Sequence, residues 1–124
     1  MEPYTSMEVA AALFGIAALG GLTMAGIRLS GTPQPPASLA MLHGLLAAAG
    51  LTLLLYAAFT VGLPRMAQLA VGFFIVAALG GTALNLLYHQ KQLPLPKPLM
   101  IGHALLAVTG FVLLLLSLFG KPSV

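Results

Sequence analysis

The chain matches itself at a displacement of sixty residues, and this constrains its fold more than any other feature. Ile16-Ala17-Ala18-Leu19-Gly20-Gly21 falls on Val76-Ala77-Ala78-Leu79-Gly80-Gly81, and His43-Gly44-Leu45-Leu46-Ala47 on His103-Ala104-Leu105-Leu106-Ala107. The same displacement carries Gly50 onto Gly110, Leu53-Leu54-Leu55 onto Leu113-Leu114-Leu115 and Phe59 onto Phe119, so that roughly a third of positions are identical over residues 10–60 and 70–120. A repeat of this length holds one helical hairpin. The expected architecture is two tandem hairpins, each with an even number of crossings, entering a membrane from the same side and related by an axis along its normal. His43 and His103 then lie at one depth.

A membrane is required by the apolar content. With 60% apolar residues, 6% charged residues and a mean hydropathy of +1.05, the chain has far more apolar surface than 124 residues of soluble domain can bury. Four runs, residues 7–29, 37–60, 65–89 and 98–119, reach the length of about 20 mostly apolar residues that spans a bilayer, leaving almost nothing for a soluble domain. The predicted fold class is therefore an all-α integral membrane protein, a four-helix transmembrane bundle forming a single membrane domain over residues 1–124. The net charge of +3 comes from five Lys and Arg near the ends of the runs, set against Glu2 and Glu8, and reads as membrane flanks; nucleic acid is not an expected partner. Without cysteine there is no disulfide, thiolate ligand, iron–sulfur cluster or CxxCH haem attachment.

Thr5 and Glu8 stand at capping-box spacing before the first run, and Pro64 and Pro98 open the third and fourth. The first run lacks a basic leader, has a long apolar stretch and has a counterpart in the third, so it is read as a true span and not a cleaved signal. Residues 61–64 make a tight turn, whereas residues 30–36 and 90–97 are proline-rich connections related by the repeat. Arg28, Lys91 and Lys97 on the side of those two connections, against Arg65 and Lys121 with Glu2 and Glu8 opposite, favour cytoplasmic connections 1–2 and 3–4 in a bacterial inner membrane.

Well inside the runs the only ionisable side chains are His43, His103 and Tyr56. An ionisable group within a membrane marks a functional site by default, because its burial costs free energy that packing alone does not explain. At helical spacing His43 lies in line with Ala40, Ala47, Gly50 and Leu54, and His103 with Met100, Ala107, Gly110 and Leu114; small residues mark the faces on which membrane helices meet. Both histidines are thus expected to point inward. Counting about 1.5 Å per residue from the shared loop side sets Gly21 and Gly81 at the histidine depth, giving a layer of Gly, His, Gly, His.

Such a layer has the makings of a haem b site. Helices 2 and 4, diagonal in an up-and-down bundle, would offer His43 and His103 as axial ligands of one iron, with Gly21, Gly81, Ala47, Ala107, Gly50 and Gly110 leaving room for the ring. Arg28 and Lys97 are placed to pair with propionates. On His43 and His103 the chain resembles, in a general way, the four-helix membrane cytochromes of type b, in which histidines on facing helices hold the haem. That resemblance implies electron transfer or haem carriage, with one inward pair here where the two-haem families have two.

Duplication copies a histidine once, so a purely structural pair, hydrogen-bonded to neighbouring carbonyls or hydroxyls, stands beside the haem reading, and Gly20-Gly21 and Gly80-Gly81 would equally permit close helix contact. Two histidines without a nearby carboxylate or thiolate are too few for zinc. A pigment site of the light-harvesting kind would want alanine four residues before the ligand, where Leu39 and Leu99 stand. Ser38, Ser117, Thr52 and Thr109 have no acidic partner in the spans, so no catalytic constellation is expected. Tyr56, Asn85, Tyr88, His89 and Gln90 add polarity, mostly at the loop side of the third run, and are read as interfacial anchors. The functional expectation is a haem b-binding electron-transfer or haem-carrying subunit. The alternative is a cofactor-free accessory or scaffold subunit, and the third choice a small carrier. The lipid bilayer, a larger membrane redox complex or a second copy are the expected partners.

Overall fold

The computed structural model describes residues 2–122. It is all-helical: α1 (Pro3–Leu29), α2 (Ala37–Thr60), α3 (Arg65–Leu84) and α4 (Lys97–Phe119), with α3 prolonged by a π-helical turn over Asn85–His89. All four are long and apolar enough to cross a membrane.

Proline sets most of the starts. Pro36, Pro64 and Pro96 occupy the N-cap positions of α2, α3 and α4, and Pro98 lies in the first turn of α4, where a missing N–H costs nothing. α1 likewise opens on Pro3, with the Ser6 N–H donating to the Glu2 carbonyl at 3.0 Å. Thr5 consequently lies inside the first turn and no side chain caps this helix. The capping box expected from Thr5 and Glu8 is not made, because the proline nucleates the helix before the threonine is reached. At the other end of the hairpin, α2 stops where the Val61 and Gly62 N–H groups both return to the Ala57 carbonyl (3.1 and 2.9 Å). Gly62 takes φ +83°, a conformation that a side chain disfavours.

α1 packs along α2 and α3 along α4, and the two hairpins meet through α1 with α4 and α2 with α3. This is an up-and-down bundle in which α1 faces α3, and α2 faces α4, across the diagonals. Tight packing is concentrated at the end that carries the α2–α3 turn: Met7, Ala10, Leu54, Ala57, Leu63, Ala67, Ala70 and Leu114 form one buried cluster. Phe14 and Phe74 close it, their rings stacked face to face across the α1/α3 diagonal at 3.9 Å between centroids and 4° between planes. Small residues on the other diagonal receive them. A Cβ at Gly50 would lie 2.9 Å from the Phe14 ring, and one at Gly110 would lie 3.2 Å from Phe73 and Phe74.

The outer faces are as apolar as the interior. Phe59 and Phe119, equivalent positions of the repeat, are 87% and 83% exposed, more large apolar surface than water tolerates on a monomer. Thr23, Thr60, Thr82 and Thr109, all exposed, donate their hydroxyls to carbonyls one turn back on their own helices at 2.7–2.8 Å. Hydroxyls satisfied in this way need no water.

Candidate functional site

One to two turns beyond the phenylalanine stack, towards the proline-rich connections, His43 of α2 and His103 of α4 approach across the second diagonal. Their ring centroids are 6.1 Å apart and their planes cross at 77°. The expected inward pair is therefore brought together. Each imidazole is fixed by a bond to the neighbouring helix of its own hairpin: His43 Nδ1 lies 2.7 Å from the Ala17 carbonyl, and His103 Nδ1 2.7 Å from the Ala77 carbonyl. A carbonyl can only accept, so in both rings Nδ1 carries a proton, and in the neutral ring the lone pair is then on Nε2. Metal-ligating histidines are commonly oriented by this arrangement, the second ring nitrogen donating to a backbone carbonyl and thereby fixing the tautomer.

The glycines of this layer serve the histidines directly. A Cβ at Gly21 would stand 2.9 Å from His43 Cε1, and a Cβ at Gly81 3.0 Å from His103 Cε1; those at Gly20 and Gly80 would be 3.8 Å from the two histidine Cβ atoms. The close approach of α1 to α2, and of α3 to α4, thus depends on having no side chain at Gly21 and Gly81, and the space so left is filled by imidazole. Gly50 and Gly110, read from the sequence as lining for a ligand, lie one layer deeper and hold phenylalanine rings. Ala47 and Ala107, between the two layers, are half-buried.

Enclosure changes sharply along the bundle. Ala17 and Ala77 are buried behind the histidines, but residues 37–49 of α2 and 101–109 of α4 include no buried residue. The imidazole layer is therefore bounded by the phenylalanine stack on one side and by the connections on the other. His43 and His103 are themselves half-buried.

The connections are bonded to each other. Arg28 Nε donates to the Leu95 carbonyl (2.9 Å), His89 Nε2 to the Pro35 carbonyl (2.8 Å) and Gln34 Nε2 to the Leu93 carbonyl (2.7 Å), and the Leu95 N–H donates to the Pro33 carbonyl (3.2 Å). Pro35 and Leu95, sixty residues apart, are both buried beneath this clasp. His89, read from the sequence as an interfacial anchor, is one of its bolts. By the repeat it corresponds to Leu29, yet it does for the second hairpin what Arg28 does for the first. The π-helical turn accounts for the shift, since the Gln90 N–H bonds back to Asn85 at 2.9 Å and its wider turn advances the helix face by about one position. Arg28 thus enters the clasp, while Lys97, the other residue assigned to propionates, is the exposed first residue of α4.

Two imidazoles that donate through Nδ1 and, when neutral, keep the Nε2 lone pair are a donor type suited to haem iron. With metal–nitrogen bonds of about 2 Å, two imidazoles on opposite faces of one metal have ring centres roughly 6 Å apart, close to the separation of 6.1 Å here. Donor type and ring separation match that group, while the space left at Gly21 and Gly81 is occupied by the imidazoles themselves. No cluster of three or more His, Cys, Asp or Glu residues that could hold a metal ion occurs among the described residues.

Comparison of the chain with protein-family models, with curated proteins and with solved structures finds no match.

Proposed function

We propose that the protein is an integral membrane bundle, formed by duplication of a helical hairpin, that holds one b-type haem between His43 and His103 as an electron-transfer or haem-carrying subunit. The observation that carries this reading is the matched pair of imidazoles, each oriented through Nδ1 by a backbone carbonyl and each keeping Nε2 free, 6.1 Å apart across the bundle. Bound haem would supply one-electron redox chemistry. The chain's own part is to present two ligands of fixed tautomer and to surround them with apolar residues, which exclude water and set the potential.

The membrane reading is supported by the four apolar helices and by the apolar outer faces with their internally satisfied threonines. The membrane proposed is a bacterial inner membrane, and the placement of Arg28, Lys91 and Lys97 against Arg65 and Lys121 supports proline-rich connections on its cytoplasmic side.

The competing reading is a cofactor-free accessory subunit, and one observation favours it: Gly21 and Gly81 are in contact with imidazole, so the layer is packed by its own side chains. A reduced-minus-oxidised difference spectrum of protein produced with added haem separates the two. A low-spin b-type signal at one haem per chain, lost or converted to a carbon monoxide-binding form by H43A or H103A and kept by H89A, supports the cytochrome. A folded protein that stays colourless supports the accessory subunit.

A further inference from the structure

We propose that the crossed clasp between the two proline-rich connections is a seal that shuts the histidine pair off from water at that end of the bundle. This rests on the membrane reading of the chain but not on any ligand.

Three features of the molecule combine to give this. The first is that the bonds run from one hairpin to the other. Arg28 and Gln34 of the first hairpin donate to Leu95 and Leu93 of the second, and His89 of the second donates to Pro35 of the first. These contacts are made to backbone carbonyls, which cannot rotate away, so the clasp fixes the spacing of the two connections. The second is what the clasp holds down. Pro35 and Leu95 are buried under it, and Met100, one turn before His103, is buried as well, so an apolar plug lies between the aqueous end and the imidazoles. The third is the stop at the other end, where the stacked Phe14 and Phe74 rings bar the axis beyond the histidines.

The test uses the absence of cysteine from the chain. Met100→Cys places a single thiol within the plug, and Ser30→Cys places one on the exposed connection. Both are made in the full chain in lipid vesicles and treated with a charged, membrane-impermeant thiol reagent. With the clasp intact, the thiol at position 100 is expected to react far more slowly than that at position 30. Breaking the clasp with Arg28→Met and His89→Phe is expected to raise the rate at position 100 by about tenfold for each bond lost, because opening is then less costly. Gln34→Ala, a milder break, keeps the test available if the double variant fails to fold, and is expected to raise the rate by the smaller, single-bond factor. Equal rates at positions 100 and 30 with the clasp intact would overturn the seal, as would a rate at position 100 that ignores all clasp variants. No chromophore is involved, so failure of the haem reading and failure of the seal are read out separately.

Discussion

Alanine at Gly21 is expected to destabilise the bundle in a way that depends on His43 alone. The added Cβ would stand 2.9 Å from His43 Cε1, closer than two carbons tolerate, and 3.3 Å from Nδ1, a tight contact. The ring can retreat only by leaving its rotamer, at about 0.5–1.5 kcal/mol, and by giving up its bond to the Ala17 carbonyl, a further net 0.5–1.5 kcal/mol or so. Against this, replacing glycine by alanine inside a helix gains about 1 kcal/mol. The clean comparison is Gly26→Ala, on the same helix, where a Cβ meets nothing within 4 Å and the propensity gain stands unopposed. G21A should therefore be less stable than G26A by about 1–3 kcal/mol, the range for overpacking, in unfolding titrations of the protein in mixed micelles. Combining G21A with H43A should abolish most of that penalty, since the atom struck is gone. A difference below about 0.5 kcal/mol between G21A and G26A, or a G21A penalty unchanged by H43A, would refute the glycine-to-imidazole packing.

Gly50→Ala should be at least as costly as Gly21→Ala, because Phe14 is pinned between Gly50 and Phe74 and three of its ring atoms lie 2.9–3.1 Å from the new Cβ; the same titration checks it. A double-mutant cycle of Phe14→Leu and Phe74→Leu should return a coupling of about 0.5–1.5 kcal/mol for the stacked pair. Ser117→Ala should be neutral or stabilising by roughly 1 kcal/mol, since the Ser117 hydroxyl is buried without a hydrogen-bond partner and its repeat counterpart is the buried Ala57; a loss of more than about 1 kcal/mol would mean that a partner exists. Lys121→Met should cost no more than about 1 kcal/mol, because its 3.1 Å pair with Glu8 is about half exposed at both ends.

The features legible in the sequence are those set by length and spacing. The four spans follow from run lengths, and the meeting of His43 with His103 follows from equal depth plus a shared small-residue stripe, both of which a helix converts directly into position. The glycines show where such reasoning stops. Spacing says that Gly21 and Gly81 lie at the histidine level, but whether the space they leave takes a histidine or a ligand depends on a rotamer, and spacing carries no information about rotamers. Gly50 and Gly110 sit on the histidine face by period, yet a knob from the neighbouring helix, Phe14 or Phe74, claims them first. Thr5 misled because a capping box and an N-terminal proline compete, and Pro3 comes earlier. His89 was hidden for a different reason: the repeat is gapless in sequence, so nothing in the alignment signals that a π-helical turn rotates the end of α3. The run Asn85, Tyr88, His89 and Gln90, polar residues gathered at the end of an apolar helix, was the one available hint that the backbone there is not regular.

The central claim, one haem between two crossed imidazoles, is tested most directly by electron paramagnetic resonance of the oxidised, haem-supplemented protein. With ring planes at 77°, a ferric centre ligated by both histidines should give the highly anisotropic low-spin signal of near-perpendicular imidazoles, absent from H43A and H103A. A high-spin ferric signal in the unsubstituted protein, or none from a folded protein with haem in excess, would contradict it.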